Sequence, residues 1–91
     1  MLATIRPVIV TTIHLAGAFF GYTGETEGNI IFLEKARYCA DMPSGGGGVI
    51  ELAVTGPVGI QWISPRISIA LRDITSMIEC TPEATALWEQ A

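Results

Sequence analysis

The apolar positions along the chain mostly recur at every second residue, in short runs divided by glycine, proline or polar clusters. The first run, "TIRPVIVTTIH" over residues 4–14, is rich in Ile, Val and Thr, which fit a pleated surface. Pro7 belongs near its start or on an edge, because proline donates nothing to a ladder. Next comes "AFFGY" over residues 18–22, where Gly21 signals a sharp bend or a close backbone approach. "TGETEGN", residues 23–29, reads as a polar turn, and "IIFLEKARYC", residues 30–39, as a third, long and bent strand.

Four glycines, Gly45 to Gly48, lead into "VIELAVT" over residues 49–55. There Ile50, Leu52 and Val54 alternate with Val49, Glu51 and Ala53, so a fourth strand is predicted, ended by Gly56-Pro57. "GIQWIS", residues 59–64, either extends it or forms a short strand before Pro65, with Trp62 and Arg66 in a loop-like segment around that proline. "ISIALRDITSMIE", residues 67–79, alternates up to Arg72, bends at Asp73 and restarts at Ile74. The last segment changes period. Thr81 is an N-cap, Pro82 the first helical residue and Glu83 a first-turn acid, predicting a helix over 82–90. Its stripe of Ala84, Leu87 and Trp88 must dock, because so short a helix is unstable alone. One mainly β domain over 1–91 follows: a small barrel of five or six strands with a short C-terminal helix.

Composition adds an expectation about assembly. Apolar residues make up 49% of the 91 positions, but charged residues only 15%, against about 25% for an average domain. A small domain with so little ionic surface leaves apolar area in water, so a homo-oligomer is expected. The net charge of −4 argues against broad nucleic-acid binding, which needs many Lys and Arg contacts to phosphates. Residues 1–21 mimic a signal peptide, but Pro7, Thr11, Thr12 and His14 interrupt the apolar stretch, and no membrane span is expected. Cys39 and Cys80 read as buried thiols rather than a zinc motif or a disulfide framework.

Candidate chemistry is sparse. With no Lys or Arg between Tyr38 and Arg66, the glycines make no P-loop, and before a strand they make no dinucleotide fingerprint. They read as a hairpin loop, whose amides at Gly46 and Gly47 keep an anion contact open. His14, the only histidine, reads as structural, and the scattered carboxylates offer no acid–base or metal spacing. A non-enzyme without a cofactor is expected. The suggestive groups are Lys35 and Arg37 on one strand face, Trp62 and Arg66 flanking Pro65, and Arg72 next to Asp73: a guanidinium beside an aromatic plane suits a phosphate and a base.

Two resemblances bear on these residues. "GAFFGYTGETEGNIIFLEKAR" and "ISIALRDITSMIE" resemble strands of the Sm-like, SH3-type small barrel, with an Asn-x-x-x-Leu element at Asn29 and Leu33. Where that family has an Arg-Gly pair this chain has Arg72-Asp73, and the resemblance implies that Asn29 and Arg72 line a nucleotide site. The order "RPVIVTT", "FFGYT", "IFLEKARYC", "LAVTGP", "ISIALRDIT" and "TPEATALWE" also resembles a family of small phage and prophage proteins. That implies action in the cytoplasm of a host bacterium. The combined expectation is a counter-defence protein that sequesters a small nucleotide signal, of cyclic-nucleotide or ADP-ribose type, where copies meet. Its contacts would be Arg66, Arg72, Arg37, Asn29, Trp62, Gly46 and Gly47. The alternatives are an inhibitor of a host defence protein and an Sm-like RNA-binding ring.

Overall fold

The computed structural model describes residues 5–24, 26, 28–40, 48–57 and 59–90. It contains strands β1 (Arg6–Thr12), β2 (Ala18–Thr23) and β3 (Ile30–Cys39), helix α1 (Gly48–Thr55), strand β4 (Trp62–Ala70), a single 3-10 turn at Leu71–Asp73, strand β5 (Ile74–Glu79) and helix α2 (Pro82–Glu89). The five strands form one antiparallel sheet in the order β4-β3-β2-β1-β5. The mainly β class and the C-terminal helix are as expected. The sheet, however, is not closed into a barrel: β4 and β5 are its two edges and do not pair. Residues 49–55, predicted as a strand, are helical and take no part in the sheet.

The alternation in "VIELAVT" misleads because the segment is apolar on nearly every side. Leu52 and Ala53 are buried, with Val49 packed against the same cluster, as a helical spacing of three and four requires. Ile50 and Val54, one turn apart, face outward. The helix stops at Gly56, whose φ of +91° favours glycine and whose N–H bonds the Leu52 carbonyl.

Each face of the sheet carries a buried cluster. Ile9, Ala18, Phe20 and Cys39 join Leu52 and Ala53 of α1, and Ala84 and Trp88 of α2, in one cluster. Val8, Val10, Phe19, Ile31, Leu33, Ala36 and Ile69 form a second. Because successive strand residues point to opposite faces, Val8-Ile9-Val10 supplies both clusters and reads as a continuous apolar run. Trp88 is fully buried and stacks on Phe20, centroids 5.3 Å apart and planes 9° from parallel. Each such side chain contributes roughly 1.5–3 kcal/mol by leaving water. Leu87, also expected to dock, is 44% exposed.

β3 carries the bend its length suggested. Lys35 has φ +52°, and the β2–β3 register shifts there, Phe20 facing Arg37 while Tyr22 faces Glu34. The extra residue keeps Ile31 and Leu33 on the same face as Ala36 and Tyr38. Gly21 stands at this bulge. A Cβ there would lie 2.7 Å from the Leu33 Cβ, so the close approach read from the sequence is present. Pro65 lies within β4, not in a loop, and so do Trp62 and Arg66. The strand tolerates the proline because it is an edge. Pro65 stands opposite Lys35, where it has no N–H to give. The Lys35 carbonyl instead accepts a 2.9 Å hydrogen bond from Arg37 Nη1.

Candidate functional site

The entrance to β3 and the exit of β4 meet at one end of the sheet. Gly28, φ +62°, turns the chain into Asn29, whose carbonyl accepts from the Leu71 N–H at 2.8 Å. Ile30 pairs with Ala70 in the last rung of the ladder. Beyond it the 3-10 turn swings the chain toward β5, closed by the Ile74 N–H on the Leu71 carbonyl. The result is a shallow hollow of about 470 Å³, lined by Asn29, Ile30, Ala70, Leu71 and Arg72. Ile30 and Leu71 give it partly exposed apolar walls. The Arg72 side chain is 89% exposed, and its Nε lies 3.9 Å from Asp73 Oδ1.

Asn29 and Arg72, the two residues implied by the small-barrel resemblance, are thus neighbours. The other candidates are elsewhere. Arg66 pairs with Glu34 across the β3–β4 ladder at 2.8 Å, and its guanidinium lies 4.0 Å over the Phe32 ring. Arg37 is committed to the Lys35 carbonyl. Trp62 begins β4, eight residues and about 26 Å from the hollow at strand rise. It stacks on Tyr38, centroids 5.5 Å apart, with Phe19 at 5.7 Å. The predicted loop glycines Gly46 and Gly47 lie outside the described residues. Gly48 opens helix α1, and not the strand expected after the glycines.

Two residues near the hollow, His14 and Asp73, were not among the expected contacts. His14, in the β1–β2 connection, places Nε2 3.2 Å from Asp73 Oδ2, and the Ile13 N–H bonds the Asp73 carbonyl at 3.0 Å. Asp73 therefore stands between His14 and Arg72. The one available signal was Asp73 itself, in the position where the resembled family has glycine.

A second hollow, of about 320 Å³, is lined by Ile5, Tyr22, Glu34, Lys35 and Glu89. Its charges are already engaged. The Tyr22 hydroxyl donates to Glu89 Oε2, Glu34 holds Arg66, and Lys35 Nζ lies 5.9 Å from the Tyr22 ring centroid. Burial, then the bond to Glu89, pushes the Tyr22 phenol up to about 12, so it is a donor and not a base near neutrality. Burial likewise pushes the Cys80 thiol up to about 12, against a lowering by the Thr85 hydroxyl, which leaves it a poor nucleophile. Cys39 and Cys80 are both buried and not disulfide-bonded. Among the described residues no group of three His, Cys, Asp or Glu is placed to hold a metal, and no helix is long and apolar enough to cross a membrane.

The model of a family described as a domain of unknown function, DUF6948, matches residues 5–88. The chain belongs to the DUF6948 family. The match runs from the residue before β1 to Trp88, and so takes in all five strands, α1 and nearly all of α2. No curated protein matches the DUF6948 chain. No solved structure matches it either.

Proposed function

We propose that this DUF6948 chain is a non-enzymatic binding module. It holds a phosphate-bearing nucleotide in the Asn29–Arg72 hollow, and further copies of the chain complete the site. The observation that carries this reading is the state of Arg72. Arg66 and Arg6 are paired at 2.8 and 3.2 Å with Glu34 and Glu79, and Arg37 bonds a backbone carbonyl, whereas the Arg72 guanidinium reaches into solvent. A guanidinium suits a phosphate oxygen pair, the Asn29 amide can donate and accept at a base edge, and Ile30 and Leu71 offer flat apolar walls. Assembly is supported by Ile13, Ile50, Val54 and Ile63, each more than half exposed on a surface poor in charge. In the setting implied by the phage-like sequence order, such a module sequesters a small nucleotide signal of a host bacterium without cleaving it.

Calorimetry and thermal shift with cyclic nucleotides and ADP-ribose test the reading. Stabilisation is expected in the wild type and is lost in Arg72→Ala. No stabilisation by any of them at millimolar concentration overturns it. A single-copy species in light scattering removes the shared site.

A second reading, inhibition of a host protein, is favoured by Ile50 and Val54 on the outer side of α1. Stoichiometric capture of one protein from host lysate, lost in Ile50→Asp, would support it over the nucleotide reading.

A further inference from the structure

We infer that His14 and Asp73 form a proton-operated gate on the Arg72 anion site. This inference rests on the nucleotide reading of the Asn29–Arg72 hollow. Three charged or chargeable side chains stand in a row at one end of the sheet. His14 Nε2 is 3.2 Å from one oxygen of the Asp73 carboxylate, and Arg72 Nε is 3.9 Å from the other. The row is built from two connections distant in sequence, fastened by the Ile13 N–H on the Asp73 carbonyl. His14 is largely exposed and free to exchange protons with solvent, while Asp73 is partly buried between the two cations. Among the described residues, the charged groups facing His14 are Asp73 and, beyond it, Arg72.

The sign follows from the charges. With His14 neutral, the Asp73 carboxylate opposes Arg72 and repels an incoming phosphate. With His14 protonated, the imidazolium pairs with Asp73 and Arg72 is left unopposed. An imidazole ordinarily changes charge between pH 5 and 8, so anion binding strengthens as the solution is acidified through that range. Asp73, in the place of a glycine in the resembled small barrels, is what couples the site to pH. Linkage makes the effect reciprocal: a bound anion raises the proton affinity of His14 by the same factor.

The test uses 3′,5′-cyclic AMP, a phosphodiester whose single negative charge is constant between pH 5.5 and 8.0. Calorimetry on the wild-type chain at low salt is expected to give about twofold tighter binding at pH 5.5, the factor one unit charge exerts at about 9 Å in water. His14→Gln binds equally at both pH values, at the weaker level. Asp73→Asn removes the opposing charge and binds more tightly than the wild type at pH 8.0. In the wild type, the midpoint of the His14 ring-proton shift rises by about 0.3 pH unit on saturation with cyclic AMP, the logarithm of the same factor. This last readout stands even where a variant fails to fold. Equal wild-type affinity at the two pH values, or a pH dependence kept by His14→Gln, overturns the gate and leaves the nucleotide reading intact. Absence of binding at both pH values, in the wild type and in Asp73→Asn, overturns the nucleotide reading and the gate with it.

Discussion

The two helices are each eight residues long and cover the same face of the sheet, yet they are held in opposite ways. α2 carries its own instructions. Thr81 Oγ1 accepts from the Ala84 N–H, Pro82 presets the first turn, and Trp88 drives into Phe20. α1 borrows its ending. The Ala53 carbonyl accepts from the Thr81 N–H, the Val54 carbonyl from Thr81 Oγ1, and the Leu52 carbonyl from Trp88 Nε1 as well as from the Gly56 N–H. Carbonyls at a helix C-terminus lack intrahelical partners, and here α2 and its cap supply them. The contacts stabilise both helices, but α2 carries its own N-cap while the last carbonyls of α1 are satisfied by α2 and that cap.

The largest expected effect comes from Trp88→Ala. Loss of the buried ring costs about 3–5 kcal/mol in urea denaturation. If α1 depends on α2, helical circular dichroism falls by the equivalent of both helices; loss of one helix alone would break the asymmetry. Thr81→Ala is milder, at about 1 kcal/mol, the usual cost of a lost N-cap. Hydrogen exchange sharpens the comparison, because amides of α1 should lose protection along with those at the start of α2. The smallest effect is Tyr22→Phe, which frees Glu89 at the end of α2. It costs about 0.5 kcal/mol, low for a hydrogen bond because both groups meet solvent. The Tyr22 phenol is raised in the folded state from 10 to about 12. Its contribution is therefore fully present below pH 10 and is lost as pH rises toward 12. The gap in urea midpoint between wild type and Tyr22→Phe should close over that interval, and a constant gap would count against the bond.

The same asymmetry governs how much of the molecule could be read in advance. α2 was legible because Thr81, Pro82 and Trp88 act within a few residues of one another. The strands were legible from Ile, Val and Thr at alternate positions, as was the bend at Asp73. α1 was not, since its decisive partners, Thr81 and Trp88, lie some thirty residues downstream, and its local alternation suits either structure. Pro65 looked like a break because the edge position that tolerates it, and the Arg37 guanidinium that serves the carbonyl opposite, are both tertiary facts. At the site, Asn29 and Arg72 were named through resemblance, and both line the hollow. Arg66 and Arg37 were chosen for their charge, and structural partners within the sheet take it up. His14 and Asp73 were missed because nothing local links the β1–β2 connection to the turn before β5.

The tight approach at Gly21 also has a consequence for alignment. In most sheets a one-step slide is forbidden because it would swap oily for wet. Val8, Ile9 and Val10 are all sealed from solvent, so that safeguard is weak along β1. What fixes the fit of β2 against β3 is shape. The Leu33 β-methylene crowds one spot on the neighbouring strand, and only a residue with no side chain can stand there. The notch acts as a key, and it lets a sheet that is greasy on both sides have a single way to zip.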